Sequence, residues 1–246
     1  LRSHARNIMV RDQGGTMTGW QIAGAALALR SRFGLAADEQ CVGVVLPPGR
    51  AGTVVNLALA LAGRTAVNLN HTVGAVQLAR MGELAGIRTI ISSELYLRKI
   101  GNPTLPGRMV EVSDLFKDIG KVGVVLGALR ALLLPDWLID RGHADQVATI
   151  VFSSGSTGDP KGIQLTHRQL RAQVRATRRG LGLDPRQDVI LSPLPLFHSF
   201  GLVPGMWLGL AEGFAIAAHP DPSDAVAIGK LAEDGKACLL YTSDAA

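Results

Sequence analysis

The sequence is poor in aromatic residues, cysteines and charge, and each shortage excludes a class of protein. Aromatic residues make up 4% of the 246 residues, too few for a platform that stacks single-stranded nucleic acid, so we expect no nucleic-acid partner. The two cysteines, Cys41 and Cys238, cannot build a disulfide framework, and we therefore expect a reducing, cytoplasmic compartment. Charged residues contribute 18% and hydrophobic residues 47%, which is the composition of a folded chain and not of a disordered one.

The chain also lacks an apolar run long enough to cross a membrane. The longest run, Val122–Leu134, contains Arg130 and is followed by Pro135. A membrane-spanning helix needs about 20 consecutive apolar residues. The net charge of +5 is compatible with an acidic partner and does not require nucleic acid.

Short apolar runs rich in β-branched residues alternate with Ala/Leu-rich segments of helical length. We expect strands at Cys41–Leu46, Thr65–Leu69, Ile87–Ser92, Val147–Phe152, Asp188–Leu191 and Phe214–Ala218. We expect helices at Trp20–Phe33, Thr53–Ala62 and Val76–Ala85, and a further one that starts at Thr166, where Thr166 and Gln169 fit a capping box. This order predicts an α/β fold with mostly parallel sheets and helices on both faces. Residues 94–145 look irregular, and we expect them to cross between two lobes.

The segment FSSGSTGDPKG, Phe152–Gly162, follows a predicted buried strand directly and combines three glycines, four hydroxyls and one lysine. Glycines let the backbone turn sharply and point successive N–H groups inward, which makes an anion-binding nest. We therefore expect a phosphate-binding loop, because a flexible Ser/Gly linker rarely lies between a buried strand and a capped helix. A Walker A loop is excluded, since Pro160 stands where the pattern needs glycine and Gly162 where it needs Ser or Thr.

Two motifs carry a resemblance to a known family. FSSGSTGDPKG resembles the phosphate-loop signature of the AMP-forming adenylating enzymes, which include acyl-CoA synthetases, luciferases and peptide-synthetase adenylation domains. PLPLFHSFGL, Pro193–Leu202, resembles the next core motif of that family. From about residue 18 to 237 the chain is most similar to acyl-acyl-carrier-protein synthetases and 2-acylglycerophosphoethanolamine acyltransferase-type fatty-acid ligases.

The resemblance implies a reaction and a set of site residues. It implies that a fatty acid is activated with ATP and Mg²⁺ to an acyl-adenylate and then transferred to a thiol of acyl carrier protein or CoA. The residues it assigns to the ATP phosphates are Ser153, Ser154, Gly155, Ser156, Thr157, Gly158 and Lys161. It places His198 and Phe200 in the acyl-substrate pocket. Two alternatives stay open: a ligase of the same superfamily for an aryl or other carboxylic acid, and an inactive nucleotide-binding remnant.

Parts of the family's pattern are absent from the sequence. No aromatic-Gly-x-Thr-Glu motif occurs, and its glutamate is the residue that helps to hold Mg²⁺, so we assign neither a metal ligand nor a catalytic residue. We expect residues 1–237 to be an incomplete N-terminal large domain of an adenylating enzyme. One back-translation of residues 238–246 reads as a transposase sequencing adapter, and we expect that segment to be non-native.

Two helical segments have alternative interpretations. Arg168, Arg171, Arg175 and Arg178 fall on one helix face with no acidic residue between 166 and 182. We favour a solvated face, and the alternative is a docking face for an acidic carrier protein or anionic lipid. For Val122–Leu134 we favour a core or lobe-bridging helix; the alternative is a surface helix that guides a fatty acid or makes peripheral contact with the inner face of the membrane.

Overall fold

Two sheets, each built mainly from parallel strands, form the framework. The computed structural model describes residues 6–134, 143–153, 159–235 and 239–240. The larger sheet has the order β6-β5-β3-β4-β7-β8. Its strands are β3 (Cys41–Val45), β4 (Thr65–Asn68), β5 (Thr89–Ser92), β6 (Arg108–Glu111), β7 (Val147–Ser153) and β8 (Lys161–Thr166). All neighbours in this sheet are parallel except the β7–β8 hairpin.

The smaller sheet has the order β11-β9-β10-β1-β2. Its strands are β1 (Ile8–Asp12), β2 (Gly15–Thr18), β9 (Val189–Ser192), β10 (Ala215–Ala218) and β11 (Leu239–Leu240). The hairpin β1–β2 is antiparallel and the other pairs are parallel.

Helices connect the strands and pack on the sheets. They are α1 (Gly19–Leu29), α2 (Arg50–Leu61), α3 (Ala75–Ala85), α4 (Glu94–Lys99), α5 (Val112–Leu133), α6 (His167–Leu181), α7 (Ser199–Leu202), α8 (Leu208–Glu212) and α9 (Ala225–Gly235). A five-residue π-helix, Val203–Trp207, continues from α7 into α8. Among the described residues no helix is long and apolar enough to span a bilayer.

One buried cluster joins the two sheets through α1 and α2. It contains Val10 and Ile216 from the smaller sheet, Val44 and Ile91 from the larger sheet, and Ile22 and Leu59 from the helices. Each of these side chains is at most 3% exposed. Burial of this kind is the main favourable term in folding, and here it fixes both sheets against the same pair of helices.

The α/β fold with mostly parallel sheets is confirmed, and the six expected strands and four expected helices are present within a few residues of their predicted ends. The capping box is confirmed as well: Thr166 Oγ1 accepts from the Gln169 amide at 3.2 Å, and the Thr166 amide donates to Gln169 Oε1 at 2.8 Å.

The expectation of an irregular segment at residues 94–145 is wrong. This segment holds α4, β6 and the 22-residue α5. The helix expected at Val122–Leu134 is the second half of α5, and it lies at the surface and not in the core, since six of its large apolar side chains are exposed.

Candidate functional site

The β7–β8 hairpin carries both ends of the glycine-rich segment. β7 pairs in parallel with β4 on one side and antiparallel with β8 on the other, so the expected buried strand before this segment is confirmed and does not lie at the sheet edge. Ser153, the last residue of β7, is paired with Lys161, the first residue of β8, and both are exposed. Opposed residues of an antiparallel pair have Cβ atoms about 5 Å apart, so a hydroxyl and an ammonium flank the base of the loop.

Residues 154–158 lie outside the described residues. The phosphate roles of Ser154, Gly155, Ser156, Thr157 and Gly158 therefore stay predictions. Next to the loop, Gly162 packs closely on the neighbouring strand: a Cβ there would lie 3.2 Å from Ile150 Cγ2 and from Phe152 Cε1. Because side chains alternate along a strand, Lys161 is on the opposite face from this contact.

A cavity of about 770 Å³ lies beside the hairpin. It is lined by Leu165, Gln169, Leu170, Gln173, Ala176, Thr177, Gly180, Leu181, Ser199, Phe200, Val203 and Pro204. Leu165 and Lys161 are four residues apart on β8, so they share one face of the strand at a separation of about 13 Å. The cavity and the glycine-rich loop are thus joined by one strand.

The structure brings Phe200 to the cavity but does not place His198 in its lining. His198 is exposed at the start of α7, where its backbone N–H donates to the Pro195 carbonyl at 3.0 Å and its carbonyl accepts from Leu202 at 2.9 Å. Phe200 is 56% exposed at the cavity rim. The pocket role of His198 therefore stays a prediction, and Phe200 alone of the two borders the cavity in the described part of the chain.

A series of ring contacts, which we call the ring chain, holds the Pro193–Leu202 motif against the larger sheet. The sequence did not predict these contacts. Phe197 and His198 have ring centroids 5.0 Å apart. Phe197 meets His71 edge to face at 5.2 Å, and His71 meets Tyr96 at 5.6 Å. His71 lies three residues after the end of β4. A polar side chain just beyond the carboxyl end of a parallel strand is a sequence signal that could have identified it as a site residue.

The two polar members of this ring chain have shifted pKa values. Burial lowers the pKa of His71 below its usual 6.5 because the imidazolium is poorly solvated there. Burial raises the pKa of Tyr96 to about 12. A hydrogen bond of 3.0 Å joins His71 Nε2 to the Tyr96 hydroxyl, which is consistent with a neutral ring next to a protonated phenol.

The arginine face of α6 is partly neutralised by other elements. Arg168 makes a bidentate contact with Asp145, at 2.7 and 2.9 Å. Arg178 pairs with Glu212 of α8. Arg171 and Arg175 form no ion pair with any described residue, and they line a cleft of about 550 Å³ together with His143. The two ion pairs come from residues outside α6, so two of the four arginines, Arg171 and Arg175, have no ion-pair partner among the described residues.

In the described ranges no group of three or more His, Cys, Asp or Glu side chains is arranged to hold a metal ion. The polar groups at the base of the loop, Ser153 and Lys161, suit a phosphate: one supplies a hydroxyl and the other a positive charge.

The comparisons with known proteins identify relatives over nearly the whole chain. The family model for AMP-binding enzymes matches residues 21–243. The chain is 30% identical over 177 residues to 4-coumarate–CoA ligase 1 of Arabidopsis thaliana, a match that covers 67% of this chain and 31% of that protein. It is 42% identical over 64 residues to the medium-chain fatty-acid–CoA ligase of Escherichia coli, which covers 26% of this chain and 11% of that protein. The chain thus spans about a third or less of the curated relatives it matches.

A solved structure has the same fold. The o-succinylbenzoate CoA synthetase of Bacillus subtilis, in complex with its acyl-adenylate intermediate, superimposes with a TM-score of 0.74 at 18% identity, covering 98% of this chain and 60% of that one. The same synthetase has been solved with ATP and magnesium. The described sheets and helices therefore share the fold of part of that synthetase.

The lowered pKa of His71 predicts a pH dependence of stability. Because the unfolded chain binds the proton more readily than the folded one, the stability from a neutral His71 is present above about pH 6.5 and is lost as the pH falls below it. Urea unfolding of the wild type between pH 7.5 and 5.5, beside His71→Gln, measures this. The wild type should lose more stability than the variant, whereas the exposed control His143→Gln should follow the wild type. Parallel pH profiles of wild type and His71→Gln would contradict the assignment.

Proposed function

The chain belongs to the AMP-binding enzyme family, and from that membership we propose that the whole protein joins a fatty acid to AMP and passes the acyl group to a thiol. The loop between β7 and β8 holds the ATP phosphates through Ser153, Ser154, Gly155, Ser156, Thr157, Gly158 and Lys161. His198 and Phe200 belong to the pocket of the acid. Relatives of this chain carry names of CoA ligases for aryl and fatty acids.

The difficulty of the first step is electrostatic. A carboxylate must approach the α-phosphate of ATP, and the departing pyrophosphate gathers negative charge. In this proposal Lys161 and the loop N–H groups stabilise that charge, because a cation and N–H donors aimed at the departing pyrophosphate lower the energy of the transition state. Mg²⁺ bound with ATP would neutralise further charge, and a synthetase of the same fold has been solved with ATP and magnesium.

The apolar cavity beside Phe200 is the observation that carries the choice of a fatty acid. Its volume of about 770 Å³ lies within the range of ligand pockets, about 300–1,000 Å³. Half of its lining residues are aliphatic, and of the lining residues that the structure describes Phe200 alone is aromatic. An aryl acid gains from several ring contacts, whereas an alkyl chain needs only apolar surface.

An aryl acid is the second candidate, and the 30% identity to 4-coumarate–CoA ligase favours it. The inactive nucleotide-binding remnant is the third. ATP–pyrophosphate exchange by the whole protein, with saturated fatty acids of graded length and with 4-coumarate, separates the three candidates. Exchange with fatty acids supports the proposal, exchange with 4-coumarate alone supports the second candidate, and no exchange with any acid supports the remnant.

We keep the domain assignment as a proposal too: residues 1–237 form part of the large adenylation domain, and residues 238–246 are translated sequencing adapter. Sequencing the gene from a library made without transposase tests the assignment of residues 238–246. A native reading frame that still encodes CLLYTSDAA would refute it.

Lys161→Ala should weaken ATP binding without unfolding the protein. A charge-assisted hydrogen bond contributes about 1.5–3 kcal/mol, so we expect about 10- to 100-fold weaker binding of ATP–Mg²⁺ by calorimetry. The side chain is exposed, so the melting temperature should stay near that of the wild type. Lys230→Ala, an exposed lysine on α9, is the matched control. Equal ATP affinity in both variants would remove Lys161 from the site.

Ala176→Trp should shorten the range of accepted fatty acids. Ala176 lines the cavity on α6, and an indole there fills space that a long alkyl chain needs. The exchange rate should fall about 10-fold or more for long-chain acids and little for short ones, because each excluded methylene forfeits about 0.8 kcal/mol. Ala172→Trp, also exposed on α6 but outside this cavity, is the control. An equal loss for all chain lengths would place the acid elsewhere.

The thiol acceptor is a finer part of the proposal. We propose that Arg171 and Arg175 attract an acidic carrier protein, while Arg168 and Arg178, already paired, contribute less of the attraction. In Arg171→Glu/Arg175→Glu, transfer to carrier protein should slow several-fold at low salt, whereas transfer to CoA and pyrophosphate exchange should not change. If the wild type and the variant transfer the acyl group to carrier protein at equal rates, these arginines do not dock it and only face solvent.

A further inference from the structure

The second half of α5 presents large apolar side chains to solvent. α5 is interrupted at Gly120, which has the non-helical angles φ 52° and ψ −175°. Beyond it, six exposed side chains follow helical spacing: Val122, Val125, Leu126, Leu129, Leu132 and Leu133. We call these six residues the apolar stripe. Their exposed fractions lie between 46% and 78%.

The face of this part of α5 that packs on α1 carries two buried small residues, with Val124 partly buried beside them. Gly127 and Ala128 are buried, and they pack on Gly24 of α1 so closely that a Cβ on Gly24 would lie 3.1 Å from Ala128 Cβ. A helix on a protein surface ordinarily turns its large apolar residues to the core and its polar residues to water. The part of α5 beyond Gly120 departs from this pattern: Gly127 and Ala128 are buried, whereas the six large apolar side chains of the stripe are exposed.

The charges on the second half of α5, residues 121–133, are all positive; we call this part the half-helix. It contains Lys121 and Arg130, and no acidic residue occurs between Lys121 and Leu133. The chain as a whole carries a net charge of +5. An anionic lipid surface complements both features, since it attracts the cations and buries the apolar side chains.

We propose that the apolar stripe of α5 lies in the interface of an anionic lipid bilayer and docks the protein on that surface. The half-helix is about 20 Å long, which is too short to cross the bilayer but long enough to lie along it. Lys121 and Arg130 then contact lipid phosphates while the stripe enters the boundary of the acyl chains. This docking does not depend on the ligase activity proposed above.

A second copy of the chain suits the stripe less well. The apolar stripe is about 20 Å long and about 10 Å wide, so it could bury about 200 Å² against a second copy, whereas a stable interface buries about 800 Å² on each partner. A bilayer has no such requirement, because its surface accommodates a single helix.

Flotation of the whole protein with lipid vesicles tests the docking, since aggregated protein does not float. The wild type should float with vesicles of equal parts phosphatidylglycerol and phosphatidylcholine, and more weakly with phosphatidylcholine alone. Leu126→Glu/Leu129→Glu should bind about 10-fold more weakly or worse. The matched control Leu84→Glu/Leu95→Glu changes two exposed leucines away from the stripe, with the same added charge, and should bind like the wild type.

The contribution of the cations is tested separately. Lys121→Gln/Arg130→Gln should reduce flotation with the anionic vesicles and its salt dependence, but not the weaker binding to phosphatidylcholine. Failure of the wild type to float, or equal losses in the stripe and control variants, would overturn the proposal. A dimer in sedimentation velocity that Leu126→Glu/Leu129→Glu dissociates, without flotation of the wild type, would also overturn it and make the stripe a contact between copies.

Discussion

The pairing of β7 on both of its edges is the constraint on which the site depends. Thr149 Oγ1 donates to the Ala66 carbonyl at 2.7 Å, and Thr65 Oγ1 donates to the Val147 carbonyl at 2.8 Å, so side chains reinforce the parallel β4–β7 register. The antiparallel register with β8 then sets Ser153 opposite Lys161. The two residues that flank the glycine-rich segment are therefore held at a fixed separation by strand pairing.

The ring chain supplies the second fixed point. His71 lies in the turn after β4 of the larger sheet and Tyr96 lies on α4, whereas Phe197 and His198 follow β9 of the smaller sheet. Phe197 is buried, and its neighbour Phe200 reaches the cavity rim. The motif is therefore anchored to both sheets at one end while its other end borders the cavity.

Local patterns were sufficient for six of the strands, four of the helices and the capping box, because each depends on residues close in sequence. β8 was missed because this edge strand exposes most of its side chains and offers no apolar run. The partners of Arg168 and Arg178 are 23 and 34 residues away, and His71 and Phe197 are further apart still. Periodicity contains no information about such contacts. Regular elements also form between residues 94 and 133, although the prolines and short runs of that region had suggested otherwise.

The edge strand β8 also fixes the distance between two side chains. Lys161 is its first residue and Leu165 its last but one, and the extended backbone between them cannot shorten without breaking its pairing with β7. A molecule that contacts both residues must span that fixed distance. Inserting one residue within β8 would turn Lys161 or Leu165 to the opposite face of the sheet, so this strand tolerates a change of sequence far better than a change of length.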